Sequence, residues 1–170
     1  MNNTPLSATA LEALRLVEMG YLPIPIPPRS KGPNIPKWPE YRLAPGDTDQ
    51  AARDFPEGSN IGILLGHDGL VCVDLDHETA LELAPQFLPK TGCILGRTGR
   101  PACHWFYRIM GEAPRTKHFP AKIAGKSINL MDRLGLGSQV LVGPSVHPSG
   151  AIYDSLSLAG TPAEREEPPC

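Results

Sequence analysis

Leu11, Leu14, Leu16, Val17 and Met19 recur at helical spacing, after Ser7 and Thr9 and before Gly20, and predict an amphipathic N-terminal helix. The stretch YLPIPIPPRSKGPNIPKWP is so rich in proline that it allows only an edge strand and a rigid loop, since proline brings no N–H to a ladder. DTDQAARDFPEG predicts a short helix capped by Asp47 or Thr48. SNIGILLG and LVCVDLD are apolar runs of strand length joined by the turn-like HDG. ETALELAPQFLP predicts a helix ended by proline, and GCILGRTGRPACHWFYRI a strand, a Gly/Arg turn and a second strand. A basic irregular segment follows. SINLMD and SQVLVGPS then predict a hairpin around RLGLG, with AIYDSL as a last short strand. The order α-β-α-β-β-α-β-β-β-β predicts an α+β fold with a mixed sheet rather than a regular βαβ array. One domain is expected over residues 1–160, and the polar, proline-rich TPAEREEPPC over 161–170 reads as a tail or linker.

The length of 170 residues suffices for a real core, and 41% hydrophobic with 20% charged residues is an ordinary globular composition. No run approaches the ~18 apolar residues of a membrane helix. The N-terminus also lacks the basic flank and continuous apolar centre of a secretory signal. A cytoplasmic protein with no membrane partner is therefore expected. The cysteines at 72, 93, 103 and 170 form no CxxC pair, and Cys72 and Cys93 sit in apolar runs, where buried free thiols are expected. Cys103-His104 lacks the two further ligands that a zinc site needs. The net charge of −2 argues against a generally basic protein, yet Arg97 to Arg133 holds eight Lys/Arg against Glu112 and Asp132. Such a local excess suits either a polyanion-binding face or a solvated surface with counter-charges nearby.

The strand-like GLVCVDLDHE ends in two aspartates one residue apart. Side chains at i and i+2 share a strand face, so Asp74 and Asp76 project together while Val71, Val73 and Leu75 turn to the core. Carboxylates ~6–7 Å apart at their backbones repel unless a cation lies between them. Mg²⁺ or Mn²⁺ suits such oxygens, whereas a solvated strand end capping the next helix is the plain alternative. GRTGRPACHWFYR sets Arg97, Arg100 and Arg108 around His104, a combination suited to phosphate. Asp132, in INLMDRLG, ends another strand-like run and offers a third acid for a two-metal phosphoryl-transfer site.

With these residues together, the chain resembles the primase-polymerase (Prim-Pol) domain of the archaeo-eukaryotic primase superfamily, from about Leu11 to Tyr153. GYLPIPIPPRSKGPNIPKW resembles the family's opening segment, with Lys31 and Trp38. SNIGILLGHDGLVCVDLDHE resembles the strand pair of the first metal motif, and GRTGRPACHWFY the second motif with its histidine. LMDRLGLGSQVLVGPSVHPSGAIY resembles the third motif and the proline-serine-histidine ending. The spacings, 28 residues from Asp76 to His104 and 28 more to Asp132, suit the family. Pro101 and Ala102 depart from the small hydroxyl residue usual before the histidine, and Gly143-Pro144-Ser145 replaces a commoner double proline. A register slip of three residues would put Asn129, not Asp132, in the third metal position.

The resemblance implies a two-layer α+β core, a recognition-motif-like half beside an N-terminal α/β unit with a mainly antiparallel sheet. It implies nucleotidyl transfer in the replication of a plasmid, phage or other mobile element. Asp74, Asp76 and Asp132 would hold two Mg²⁺ or Mn²⁺ ions, and His104, with Arg97 or Arg100, the triphosphate of a dNTP or NTP. Ser145 and His147 fall where nucleotide contacts are expected, although His147 equally suits a turn-ordering role in HPSG. Lys31 and Trp38 could touch template or nucleotide, with Trp38 also suited to packing. The partners implied are a single-stranded DNA template and primer, and a helicase. Charge, not resemblance, makes Arg115, Lys117, Lys122 and Lys126 the expected template surface. Two rivals stand beside this reading: a catalytically degenerate binding module of a replication initiator, and another DxD enzyme such as a sugar-nucleotide transferase or metal nuclease.

Overall fold

The computed structural model describes residues 5–170; Met1 to Thr4, with which the expected domain begins, lie outside the described residues. In chain order the elements are α1 (Ala8–Glu18), β1 (Pro23–Ile26), α2 (Thr48–Asp54), β2 (Asn60–Leu64), β3 (Leu70–Leu75), α3 (Glu78–Phe87), β4 (Ile94–Arg97), β5 (Arg100–Ile109), β6 (Lys117–Ile123), β7 (Lys126–Leu134), β8 (Gln139–Val142) and β9 (Ala163–Arg165). The fold is α+β with mainly antiparallel sheets, as expected. The chain divides into two compact units, one of residues 1–64 and 140–158, the other of 65–139 and 159–170.

The first unit is built on the sheet β1-β2-β8. Ser7 caps α1 by accepting the Ala10 N–H, and Asp47 caps α2 by accepting that of Gln50. Both caps are those the sequence predicts. Ile24, Ile26, Leu64, Leu141 and Tyr153 form the core over this sheet, with Trp38 packed at its margin. Pro23 and Pro25 are tolerated because β1 is an edge strand.

The second unit carries the sheet β4-β5-β3-β7-β6, with β9 added parallel to β5. Val71, Val73 and Leu75 of β3 pack with Trp105, Tyr107 and Ile109 of β5 and with Ala80 and Ala84 of α3. Each such side chain, fully buried, contributes about 1.5–3 kcal/mol when it is as large as valine or more. The helix therefore covers one face of the sheet. Alternation along β3 sends Asp74 to the other.

Four elements beyond β3 differ from the sequence-based expectation, and the strands joined by HDG do not pair: β2 and β3 enter separate sheets. Gly69 there has φ +71°, and its Cα lies so close to the Ile109 carbonyl that any Cβ would collide with it. The segment around RLGLG does not form a hairpin either. There the Leu136 N–H donates to Pro114 and the chain passes on into β8, beside β2. The basic segment is regular, forming the edge strand β6, where Pro120 falls at a register shift and costs no ladder bond. The expected tail contains β9, whose Arg165 carbonyl accepts the Met110 N–H at 2.7 Å. AIYDSL forms no strand among the described residues, although Ile152 bridges Val146 and the Tyr153 N–H donates to the Ser145 carbonyl.

Candidate active site

The register of three strands sets the chemistry-bearing residues in one row. Asp74 of β3 lies directly opposite His104 of β5 on one side and Asp132 of β7 on the other. Asp132 is in turn opposite His118 of β6. Directly opposed residues share a sheet face with Cβ atoms about 5 Å apart, so His104, Asp74, Asp132 and His118 form a transverse line. Like charges at opposed positions repel, and here each acid has a histidine beyond it. His104 Nε2 lies 3.3 Å from Asp74 Oδ1, and His118 Nδ1 lies 2.8 Å from Asp132 Oδ1. Asp76 follows Asp74 by two residues on the same face.

Asn129 joins this face through a backbone irregularity. Residues three apart in a regular strand point to opposite faces, which would part Asn129 from Asp132. In β7, however, Phe119 pairs with Met131 and Pro120 with Asn129, so Leu130 is an extra, bulged residue. The Leu130 carbonyl accepts the N–H groups of Asp76 and His77, at 3.1 and 3.2 Å, tying the bulge to the end of β3. The Asn129 amide then donates to Asp76 Oδ2 at 2.6 Å and to Asp132 Oδ1 at 2.8 Å. Both contenders for the third metal position thus lie on the face of the acid row, Asn129 bonded to Asp76 and Asp132, and Asp132 opposite Asp74. Asp132 is the one in register with Asp74.

Desolvation and then the charges of Asp74 and Asp132 raise the Asp76 carboxyl above its ordinary pKa, while the Asn129 hydrogen bond and Arg100 act the other way. Asp76 remains exposed to solvent, so the like charges are the part of this that a cation would relieve. Burial lowers the pKa of His104, but hydrogen bonds with Asp74 and Cys103 and the Asp74 charge outweigh it and lift the imidazole to about 9. A buried imidazolium next to an acid row is suited to an anionic ligand.

A test of fit for divalent ions rests on the donors. Asp74, Asp76 and Asp132 supply only carboxylate oxygens, the ligands that Mg²⁺ and Mn²⁺ prefer, and their mutual repulsion favours a cation. By donor chemistry the three acids suit such ions. Among the described residues, the group whose ligand atoms lie within 4.8 Å of one another is Asp74, Cys103 and His104, so Cys103-His104 gains a third potential ligand that spacing alone did not show. Cys103 and His104 are both buried. Cys72 and Cys93 are buried free thiols, as expected.

Arg97 and Arg100 pair across the end of the β4–β5 hairpin, and Arg100 Nη2 donates to the Leu75 carbonyl at 2.8 Å, beside Asp76. Gly96 admits the crossing chain: a Cβ there would stand 2.6 Å from the Ala102 nitrogen. Arg115, Lys117, Lys122 and Lys126 are exposed on or next to the β6–β7 hairpin, with the Lys117 ammonium 4.7 Å over the Phe119 ring. Ser145 and His147 belong to the first unit. The Ser145 hydroxyl is fully buried, accepting the Ile61 N–H at 2.8 Å and donating to the Ile61 carbonyl. His147 Nδ1 accepts the Ser149 N–H at 3.1 Å, ordering the HPSG turn. Lys31 is exposed on the proline loop of that unit, and Trp38 is a packing residue. Sequence reasoning overlooked His118, which is visible only once β6 is known to pair with β7, and Asn60, whose amide donates to the Ser30 and Val146 carbonyls.

Among the described residues, no helix is long and apolar enough to cross a membrane. No curated protein matches the chain. A family model described as "Bifunctional DNA primase/polymerase, N-terminal" (Prim-Pol) matches residues 13–168, nearly the whole chain and through β9. On that match the chain belongs to the Prim-Pol family, which implies nucleotidyltransferase-type chemistry on nucleic acid and nucleotides.

Proposed function

We propose that this chain is an active, template-directed nucleotidyltransferase, extending or initiating a strand on single-stranded DNA with a dNTP or NTP. One observation carries the proposal: Asp132, Asp74 and His104 are cross-strand neighbours in one row, with Asp76 on the same face. Asp74, Asp76 and Asp132 hold two divalent ions, Mg²⁺ or Mn²⁺. When bound, these ions make the attacking hydroxyl a better nucleophile and offset charge on the departing pyrophosphate. The protein's own residues do the positioning. His104, held by Asp74, presents a positive charge to the triphosphate, and Arg97 and Arg100 supply further charge. Arg115, Lys117, Lys122 and Lys126 take the template by its phosphates. Ser145 supports this by fixing β2 rather than by touching nucleotide, and His147 by ordering its turn. The setting implied is cytoplasmic replication of a plasmid, phage or other mobile element, together with a helicase.

The test is strand synthesis on primed and unprimed single-stranded DNA with Mg²⁺ or Mn²⁺ and labelled dNTPs or NTPs. Wild-type protein should give metal-dependent product, and Asp74→Ala/Asp76→Ala should reduce it more than about a hundredfold. No metal-dependent product under any of these conditions, with template binding retained, would instead establish the degenerate binding module.

A further inference from the structure

We infer that His118 and Asn129 are a pair of positioning residues that set the Asp132 and Asp76 carboxylates for divalent-cation binding, an inference that rests on the reading of these acids as ligands. The His118 Nδ1 and the Asn129 amide both lie 2.8 Å from the same atom, Asp132 Oδ1. A carboxylate oxygen accepts hydrogen bonds, so His118 meets Asp132 through an Nδ1–H and the Asn129 NH₂ group faces the acids. Two donors converging on Oδ1 fix the carboxylate's rotation and leave Oδ2 as the oxygen to offer a cation. The second hydrogen of the Asn129 amide goes to Asp76 Oδ2 at 2.6 Å and orients that acid likewise. One neutral amide therefore spans two like charges.

Strand geometry shows that this arrangement is built into the fold. His118 reaches Asp132 because the two are register partners on β6 and β7, and Asn129 reaches it only because Leu130 is bulged. His118 is 68% exposed, so its burial explains little of its place. A surface histidine on an edge strand has no packing reason to hold one rotamer against an acid. Hydrogen bonds that orient a ligating carboxylate typically alter metal affinity 10–100-fold when removed.

The experiment is Mn²⁺ binding to the metal-free protein, by titration calorimetry and by the paramagnetic resonance signal of free Mn²⁺, with no reaction required. His118→Ala and Asn129→Ala should each weaken Mn²⁺ about tenfold or more, with far-UV circular dichroism and melting temperature unchanged. His118→Asn, which returns a donor near the Nδ1 position, should recover most of the loss. In strand synthesis the same variants should need more Mn²⁺ for half-maximal rate yet approach wild-type kcat at saturation. Wild-type Mn²⁺ affinity in both alanine variants, with Asp132→Ala impaired, overturns the positioning role and leaves the acid site standing. Loss in His118→Ala as deep as in Asp132→Ala, without recovery in His118→Asn, overturns it too, because His118 would then be a ligand itself. Unaltered Mn²⁺ binding in Asp74→Ala/Asp76→Ala would remove the acid site, and the positioning role with it.

Discussion

His104 occupies a buried position that would ordinarily discharge an imidazole, yet its partnership with Asp74 does the opposite. A charge lifted in this way is a stability contribution with a definite pH window. The pair stabilises the fold fully below the ordinary histidine pKa of about 6.5, and the contribution is lost as pH rises through about 9. In the metal-free protein, NMR titration of the His104 ring should show a midpoint near 9, and Asp74→Asn should move it down towards the ordinary value. Gly69 is a second residue whose identity is dictated locally. Its φ of +71° and its approach to the Ile109 carbonyl exclude a side chain. Gly69→Ala should cost at least about 1–3 kcal/mol from backbone strain, read as a lower midpoint in urea.

At the scale of elements, the edges of the second sheet differ most from what the chain suggests on reading. Deleting residues 161–170 removes β9 and with it the Arg165 carbonyl that holds Met110, the Ala163 N–H that Thr91 accepts, and the Arg133 contact with the Cys170 carbonyl. The truncated chain should melt several degrees lower than the full one, a loss of about 1–2 kcal/mol at this size. A chain that melts unchanged would show the segment to be dispensable. The reason β9 is hard to read is physical: three residues, Ala-Glu-Arg, are too few for alternation to register, and a parallel pairing leaves no turn as a signpost. β6 is obscured by Pro120 and its lysines, which suit an edge strand, the place β6 takes in the sheet order. By contrast, β3 and β5 are legible as continuous apolar, buried runs of strand length, and α1 and α3 because burial of one face imposes helical periodicity. The motifs single out Asp74, Asp76, Asp132 and His104 as candidates, while the row that joins Asp74, Asp132 and His104 comes from the strand register. Asn129 and Asp132 could not be separated by counting residues, since the bulge at Leu130 undoes the two-residue period on which such counting rests.

For the molecule as a whole, a net charge of −2 conceals an uneven distribution, with eight Lys/Arg against two acids between Arg97 and Arg133. The acid row and the exposed lysines of β6 and β7 lie in the same unit, where Lys117 pairs with Arg133 and so takes the opposite sheet face from the neighbouring His118–Asp132 pair. Template binding by those lysines would be driven by counterion release, at a slope of about −0.7 per phosphate contact on single strands. Lys117→Ala/Lys122→Ala/Lys126→Ala should lower the salt slope of binding by about 2 while leaving Mn²⁺ affinity intact, as measured by fluorescence anisotropy across a salt series. The Leu130 carbonyl binds the amides of Asp76 and His77 at once, and so couples the end of one site strand to the kink of another. Those two protons thereby become a natural clock for the site. In deuterated water they should exchange with matched rates, because one separation of β7 from β3 releases both. Divalent cation should slow the pair together, and the residue-by-residue pattern of deuterium uptake would record the closing of the site without any nucleotide being joined.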